Sequence, residues 1–367
     1  MPSLASNAAY ALKADTDADV GVDSNDNEPP KSVNDFAAHC NDFKGADTKR
    51  SIFQLVSTLA LLALSCAAML LSIQISYWIT ALLILPTAGL LTRVFIFQHD
   101  CGHGSFFKSK KANTWTGRCL SLLTVTPYDF WRRAHNTHHA ASGNLDNRGI
   151  GSIDTLTINE YQALSKKRQF AYRLYRNPLF LLCFGTPFYI LIAQRIPFSQ
   201  PTKFHENYKT LSEKSVWKSI MMTNLALVVF YGALAMAIGI VPLLAIYLPT
   251  VILTTWIGGW LFFIQHQFED TLWERSDTWD RREAALMGSS YYELPKVIQW
   301  FTGNIGIHHI HHLCSQIPNY KLQECMDARP ELKDINKLTL RDSLKCVHLK
   351  LWDEQQNKMV SVLPTAS

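Results

Sequence analysis

"SIFQLVSTLALLALSCAAMLLSIQISYWITALLILPTAGLLT", residues 51–92, runs for 42 positions without a charged side chain. One helix needs about 20 apolar residues to cross the hydrocarbon core of a bilayer, so this stretch holds two. The polar patch Ser72-Ile73-Gln74-Ile75-Ser76 divides it, and a break that short folds the second helix back on the first. A second uncharged stretch, Ser219 to Phe268, has His266 as its only ionisable residue, with Gly239 and Pro242 at its middle. It reads as a second hairpin. The expected spans are about 52–72, 76–96, 219–239 and 243–265.

Two hairpins return the chain to the side it left. The segments before Ser51, between Arg93 and Lys218, and after Gln265 therefore share one side. Lys49, Arg50, Arg93, Lys108, Lys110, Lys111, Arg118, Arg132, Arg133, Lys166, Lys167, Arg168 and Lys218 all lie there, while the two far-side turns carry no charge. Excess lysine and arginine mark the cytoplasmic side, which then holds both termini. The fold class expected is an all-α, multi-pass integral membrane protein. Four transmembrane helices in two hairpins carry a cytoplasmic helical cap, residues 97–218 and 266–330, within a membrane domain spanning 49–330; residues 331–367 form a cytoplasmic C-terminal segment.

One more apolar stretch, Pro178 to Ile196, is long enough to count as a fifth span. A crossing there would put Arg93 to Arg176 on the opposite side from everything after Gln265 and split the histidine clusters described below. With Gly185 and Pro187 in its interior, it suits an interfacial or re-entrant segment.

Composition agrees with a membrane class: 48% of residues are hydrophobic and 18% charged. The first 48 residues differ, with Asp15, Asp17, Asp19, Asp23, Asp26 and Glu28 among small and polar residues, and are expected to form a disordered acidic tail. That tail lacks the basic start and apolar core of a secretory signal and is too acidic for a transit peptide. The eight cysteines are scattered and contain no CxxC, which argues against a disulfide framework. A net charge of +5 invites a nucleic-acid reading, but much of the basic excess flanks the apolar segments, so topology explains it and no nucleic-acid partner is expected.

The chemistry lies in histidines. His99 and His103 stand at i and i+4; His135, His138 and His139 at i, i+3 and i+4; His308, His311 and His312 repeat that second spacing. On a helix each set shares a face. A lone buried histidine is usually a hydrogen-bonded core residue, but three boxes on one side of a membrane are hard to explain as packing. Crowded cationic imidazoles repel and crowded neutral ones need partners, and metal ions meet both demands. His266, at the cytoplasmic edge of the fourth span, joins them as a candidate ligand. His309 points away from its neighbours' face, and His39, His205 and His348 are isolated structural residues.

Imidazole suits Zn, Cu, Fe and Ni. Eight or nine such ligands exceed one four-coordinate zinc site and would fill two centres with positions left for oxygen or water. No HExxH is present, so zinc hydrolysis has no base. Two redox-active metals at a membrane surface imply activation of O2 against something lipid-soluble. Asp100, Asn136, Glu269 and Asp270 adjoin these histidines in sequence and are candidates to orient their ring N–H groups.

The motifs "HDCGHGSFF" (99–107), "WRRAHNTHHAASGNLDNRG" (131–149), "FIQHQFEDTLW" (263–273) and "GNIGIHHIHHLCSQIPNYKL" (303–322) resemble those of the membrane-bound fatty acid desaturases, acyl-lipid branch, Delta-12 (omega-6) type. The resemblance covers roughly Arg93 to Leu322. It implies a nonheme di-iron centre, O2 as co-substrate and an acyl-lipid substrate given a cis double bond in a narrow kinked tunnel. His99, His103, His135, His138, His139, His308, His311 and His312 match the family's boxes, and His266 matches an additional histidine after the last span. No HPGG haem-binding pattern is present, so electrons are expected from a separate small protein of ferredoxin, rubredoxin or cytochrome b5 type. An acyl-chain hydroxylase shares these ligands and is the nearest alternative; a histidine-rich metal transporter fits less well, because both hairpins lack charge through their depth.

Overall fold

The computed structural model describes residues 32–149, 151–196, 204 and 214–361. Residues 1–31 of the expected tail, and His205, lie outside them. The first element is nevertheless a helix, α1 (Val33–Asn41). Ser32 and Asp35 form a capping box, and Phe36 and Cys40, one turn apart, are buried in a cluster with Leu322, Cys325 and Met326. This corrects the expectation of a disordered tail through residue 48. The acidic composition belongs to the first thirty residues, whereas 32–41 carry a helix start and an apolar i, i+4 pair.

Two long helices follow, α2 (Thr48–Ser72) and α3 (Tyr77–His103), started by the side chains of Asp47 and Ser76. The hairpin is fastened by hydroxyl pairs, Ser72 to Thr80 at 2.8 Å and Ser65 to Thr87 at 2.5 Å. α3 runs past the expected end at residue 96 to His103 and stops where Gly104 takes φ +71°. That extension carries the first box out of the apolar layer on a continuous helix. α4 (Lys110–Thr124) and α5 (Tyr128–Ala141) lie across it, and Gly117 lets them meet: a Cβ there would fall 2.2 Å from the Tyr128 ring.

After α6 (Ile158–Ala163) and α7 (Lys166–Tyr175), the apolar stretch 179–195 forms a π-helical turn (Leu179–Gly185), α8 (Thr186–Leu191) and a 3-10 turn (Ala193–Arg195). It bends by 68° from α7 and leaves Leu179, Phe184 and Phe188 exposed, the form of a broken or re-entrant segment. The second long pair is α9 (Lys214–Ile238) and α10 (Ile240–His266), separated by Gly239 at φ +86°, a value only glycine adopts without strain. Among the described residues, α2, α3, α9 and α10 are the four helices long and apolar enough to cross a membrane. Their outward faces, with Leu82, Val228 and Met236 bare, suit hydrocarbon and would associate in water.

The remainder packs over the ends of these helices: α11 (Arg281–Met287), α12 (Lys296–Phe301), α13 (His308–Leu313), α14 (Asn319–Asp327) and α15 (Leu340–Cys346). Among the described residues, which are mostly helical, five short strands, β1 (Leu156–Thr157), β2 (Tyr291–Tyr292), β3 (Lys337–Leu338), β4 (Leu351–Asp353) and β5 (Lys358–Val360), tie the loops together. β1 pairs parallel to β4, which pairs antiparallel to β5; β2 pairs parallel to β3. The C-terminal segment is thus integral to the cap. Buried Arg176 donates to the Leu349 carbonyl (3.0 Å) and to Gln267 Oε1 (2.6 Å), linking it to the residue after His266.

Candidate metal centre

Three helices and one helix end bring the histidines together. α3 delivers His99 and His103 from its last turn, α5 delivers His135, His138 and His139, α13 delivers His308, His311 and His312, and α10 ends on His266. They form two groups. His99, His103, His135, His139 and His311 make one; His138, His266, His308 and His312 make the other, with the ligand atoms of each group within 4.8 Å of one another. The i, i+4 pairs stay together, 135 with 139 and 308 with 312, because those positions are only 40° apart around a helix. The third histidine of each box crosses to the opposite group: His138 joins the α13 pair and His311 joins the α5 pair. The two groups touch where His139 and His312 stack, ring centroids 4.0 Å apart.

Hydrogen bonding alone cannot satisfy this cluster. An imidazole nitrogen offers one proton or one lone pair. Nδ1–H of His266 donates to the Gly288 carbonyl (3.1 Å), so its Nε2 carries only a lone pair. Yet Nε2 of His138 lies 3.0 Å from that atom and Nε2 of His308 lies 3.1 Å from it. Nε2 of His139 is shared in the same way between His135 (3.1 Å) and His311 (3.2 Å). Both ring nitrogens of His312, Nδ1 of His308 and Nε2 of His103 are buried and find no hydrogen-bond partner among the described residues. Ligands at right angles, each about 2.1 Å from a shared ion, stand about 3 Å apart. The nitrogens therefore converge as they would on metal, and the donor set fits a pair of imidazole-bound ions.

Burial, and then the neighbouring imidazoles, hold His135, His138, His139, His308, His311 and His312 well below the usual histidine range. The rings are neutral at physiological pH, so binding an ion there displaces no proton from a charged ring.

Outside the two groups, several contacts fix ring orientation. His99 Nδ1 faces Asp100 Oδ1 at 3.3 Å, and Asp100 Oδ2 accepts from the Asn319 backbone N–H (2.8 Å) and side-chain amide (2.9 Å). His138 Nδ1 lies 3.0 Å from Ser152 Oγ. Trp131 stacks on His135, centroids 4.7 Å apart and planes 15° from parallel. Asn136, Glu269 and Asp270, expected to orient the imidazoles, do not: all three are exposed. Asn136 is turned about 100° from His135 around α5, and the chain leaves helical geometry right after His266. Ser152 and the Gly288 carbonyl take that role instead. Asn319 lies inside a motif noticed in the sequence, but its partner 219 positions away left no local signal. Ser152 and Gly288 left none at all.

His309 points away, buried, and its Nε2–H donates to the Leu332 carbonyl (2.9 Å). His39 Nε2–H likewise donates to the Cys325 carbonyl (2.9 Å), a packing role.

Comparison with known proteins agrees with this arrangement. The family model described as fatty acid desaturase matches residues 75–341, and the chain belongs to that family. It is 40% identical over 319 residues to a fatty acid desaturase of Bacillus subtilis, covering 87% of this chain and 88% of the relative. An sn-1 acyl-lipid omega-3 desaturase (ferredoxin) of Synechocystis sp. is 30% identical over 239 residues, 64% of this chain and 63% of the relative. An endoplasmic reticulum omega-3 fatty acid desaturase of Vigna radiata is 28% identical over 310 residues, 81% of this chain and 76% of the relative. The chain is accordingly an oxidoreductase acting on fatty acids.

Proposed function

We propose that this desaturase is a nonheme di-iron enzyme that uses O2 to place a cis double bond, of Delta-12 type, in the acyl chain of a membrane lipid. The observation that carries the di-iron reading is the pair of imidazole groups, five and four, with lone pairs converging where hydrogen bonds cannot satisfy them. His99, His103, His135, His139 and His311 would hold one iron, and His138, His266, His308 and His312 the other. Two irons there supply O2 activation and the removal of two hydrogens from an unactivated chain. The protein's part is to hold the imidazoles neutral and oriented, with Asp100, Ser152 and the Gly288 carbonyl gripping the outer ring nitrogens.

The Delta-12 position rests on motif resemblance, while relatives named omega-3 desaturases support an acyl-lipid substrate. Neighbouring methylenes are chemically near-equivalent, so geometry along the chain selects the bond. Electrons come from a separate small carrier; the ferredoxin in the Synechocystis relative's name supports that type. Four spans returning on one side, with lysines and arginines flanking them, support a cytoplasmic metal centre and cytoplasmic termini.

The test is a fatty-acid profile of cells expressing the chain, with double-bond location by mass spectrometry and iron counted in the purified protein. A new Delta-12 alkene with two irons per chain, both lost in His138→Ala, is expected. An alkene elsewhere refutes the regiochemistry alone. A hydroxy acyl product without new alkene refutes desaturation in favour of hydroxylation, and altered metal uptake with unchanged lipids refutes both.

A further inference from the structure

α12 stands directly ahead of the third histidine box, yet it reaches well below the metal centre. Phe301 packs on α3 so closely that a Cβ at Gly89 would lie 2.7 Å from its ring. Gly89 precedes His99 by ten helical residues, about 15 Å down the axis of α3. Next to it Trp300 meets Arg93: the Trp300 carbonyl accepts from Nη1, and the guanidinium sits 4.4 Å over the indole ring. Arg93 also donates from Nη2 to Gln54 Oε1 (2.9 Å) and from Nε to Thr58 Oγ1 (3.2 Å). These bonds set α12 level with Gln54 and Thr58 on α2, where the outward face carries Phe53 and Val56, 73% and 60% exposed.

At that level α12 turns its own apolar side outward. Val297 is 68% exposed, Ile298 41% and Trp300 42%, with Lys296 exposed at the start of the helix. The patch continues the bare belt of α2 at the same height. Arg93 gives an independent measure of the surroundings: it is 6% exposed, and its guanidinium is satisfied by a carbonyl, an amide, a hydroxyl and a ring face of the protein. A cation inside an apolar span needs such partners when water is absent. The end of α12 supplies two of them, and the negative end of a helix dipole is a favourable neighbour for a guanidinium.

We propose that α12 is a wedge inserted into the bilayer, its Val297, Ile298 and Trp300 side in the acyl layer of the leaflet nearest the metal centre and Lys296 among the headgroups. The partner is lipid hydrocarbon. The proposal rests on reading α2, α3, α9 and α10 as membrane spans. Lipid tails thereby reach the chain segment that leads, within seven residues, to His308.

A benzophenone-bearing phenylalanine analogue introduced in place of Val297, and separately Ile298, tests this in membranes containing an alkyne-tagged phospholipid. Phe53 serves as the span reference and exposed Gln356 as the aqueous reference. Irradiation should join tagged lipid to positions 297, 298 and 53, and not to 356. Adducts at 53 without adducts at 297 or 298 overturn the wedge and leave the spans intact. Missing adducts at 53 as well overturn the spanning reading and the wedge with it. Chain-to-chain adducts from 297 overturn it in favour of a contact between two copies.

Discussion

Asp100→Ala is the most informative single substitution outside the histidines. Asp100 is 2% exposed, and its Oδ2 takes both the backbone N–H and the side-chain amide of Asn319, while Oδ1 faces His99. Truncation leaves two buried N–H donors of Asn319 without an acceptor, each costing about 1–3 kcal/mol, so a loss of roughly 2–6 kcal/mol is expected. His99 also loses the group that orients its ring, a change worth on the order of 10–100-fold in metal affinity. Asp100→Asn keeps one acceptor oxygen and should recover part of the stability but not the charge-assisted bonds. Thermal unfolding in detergent by tryptophan fluorescence reads the first effect; iron retained per chain across a chelator series reads the second. An alanine variant that unfolds at the parent temperature and resists chelator equally would refute the link drawn from Asp100 to Asn319 and His99.

Three further outcomes follow from the geometry. His308→Ala should lower the iron retained per chain, whereas His309→Ala, which removes the bond to the Leu332 carbonyl and the ring contact with Tyr291 but none of the grouped imidazoles, should leave iron stoichiometry unchanged and cost at least about 1–3 kcal/mol in unfolding. Gly117→Ala should destabilise by about 1–3 kcal/mol, because the fully buried Tyr128 ring has no room to yield 2.2 Å from the new methyl; an unchanged melting temperature would refute the close contact. Burial raises the Asp154 carboxyl to about 6 from 3.8. The folded state therefore holds its proton more tightly than the unfolded chain, and the stability this group contributes is present below pH 4 and lost as pH rises through 6. Asp154→Asn should accordingly gain on the parent by about 3 kcal/mol between pH 3 and pH 7, measured as the difference in unfolding free energy.

Much of this molecule was legible because its strongest signals are physical minima. Uncharged runs of twice the bilayer length give two helices each, and the breaks fall at Ile73–Ser76 and Gly239. Spacing put the histidines on shared helical faces, since the i, i+4 relation is local. What spacing could not give was the exchange of His138 and His311 between groups, which depends on how α5 and α13 face each other across the cluster. Sequence adjacency misled for Asn136, Glu269 and Asp270, because the neighbour in sequence lies around the helix or past its end. α1 was hidden by averaging: one capping box and one Phe36, Cys40 pair vanish in a window dominated by aspartates.

The interleaving of the boxes also dictates when the centre can come into being. Without the third box, one group keeps four of its five imidazoles but the other keeps two of its four. A growing chain that has already threaded all four long helices still lacks half of the second group until residue 312 is made and α13 has docked. The second group could therefore complete its ligand set only after α13 has docked, whereas the first already holds four imidazoles before the third box is made.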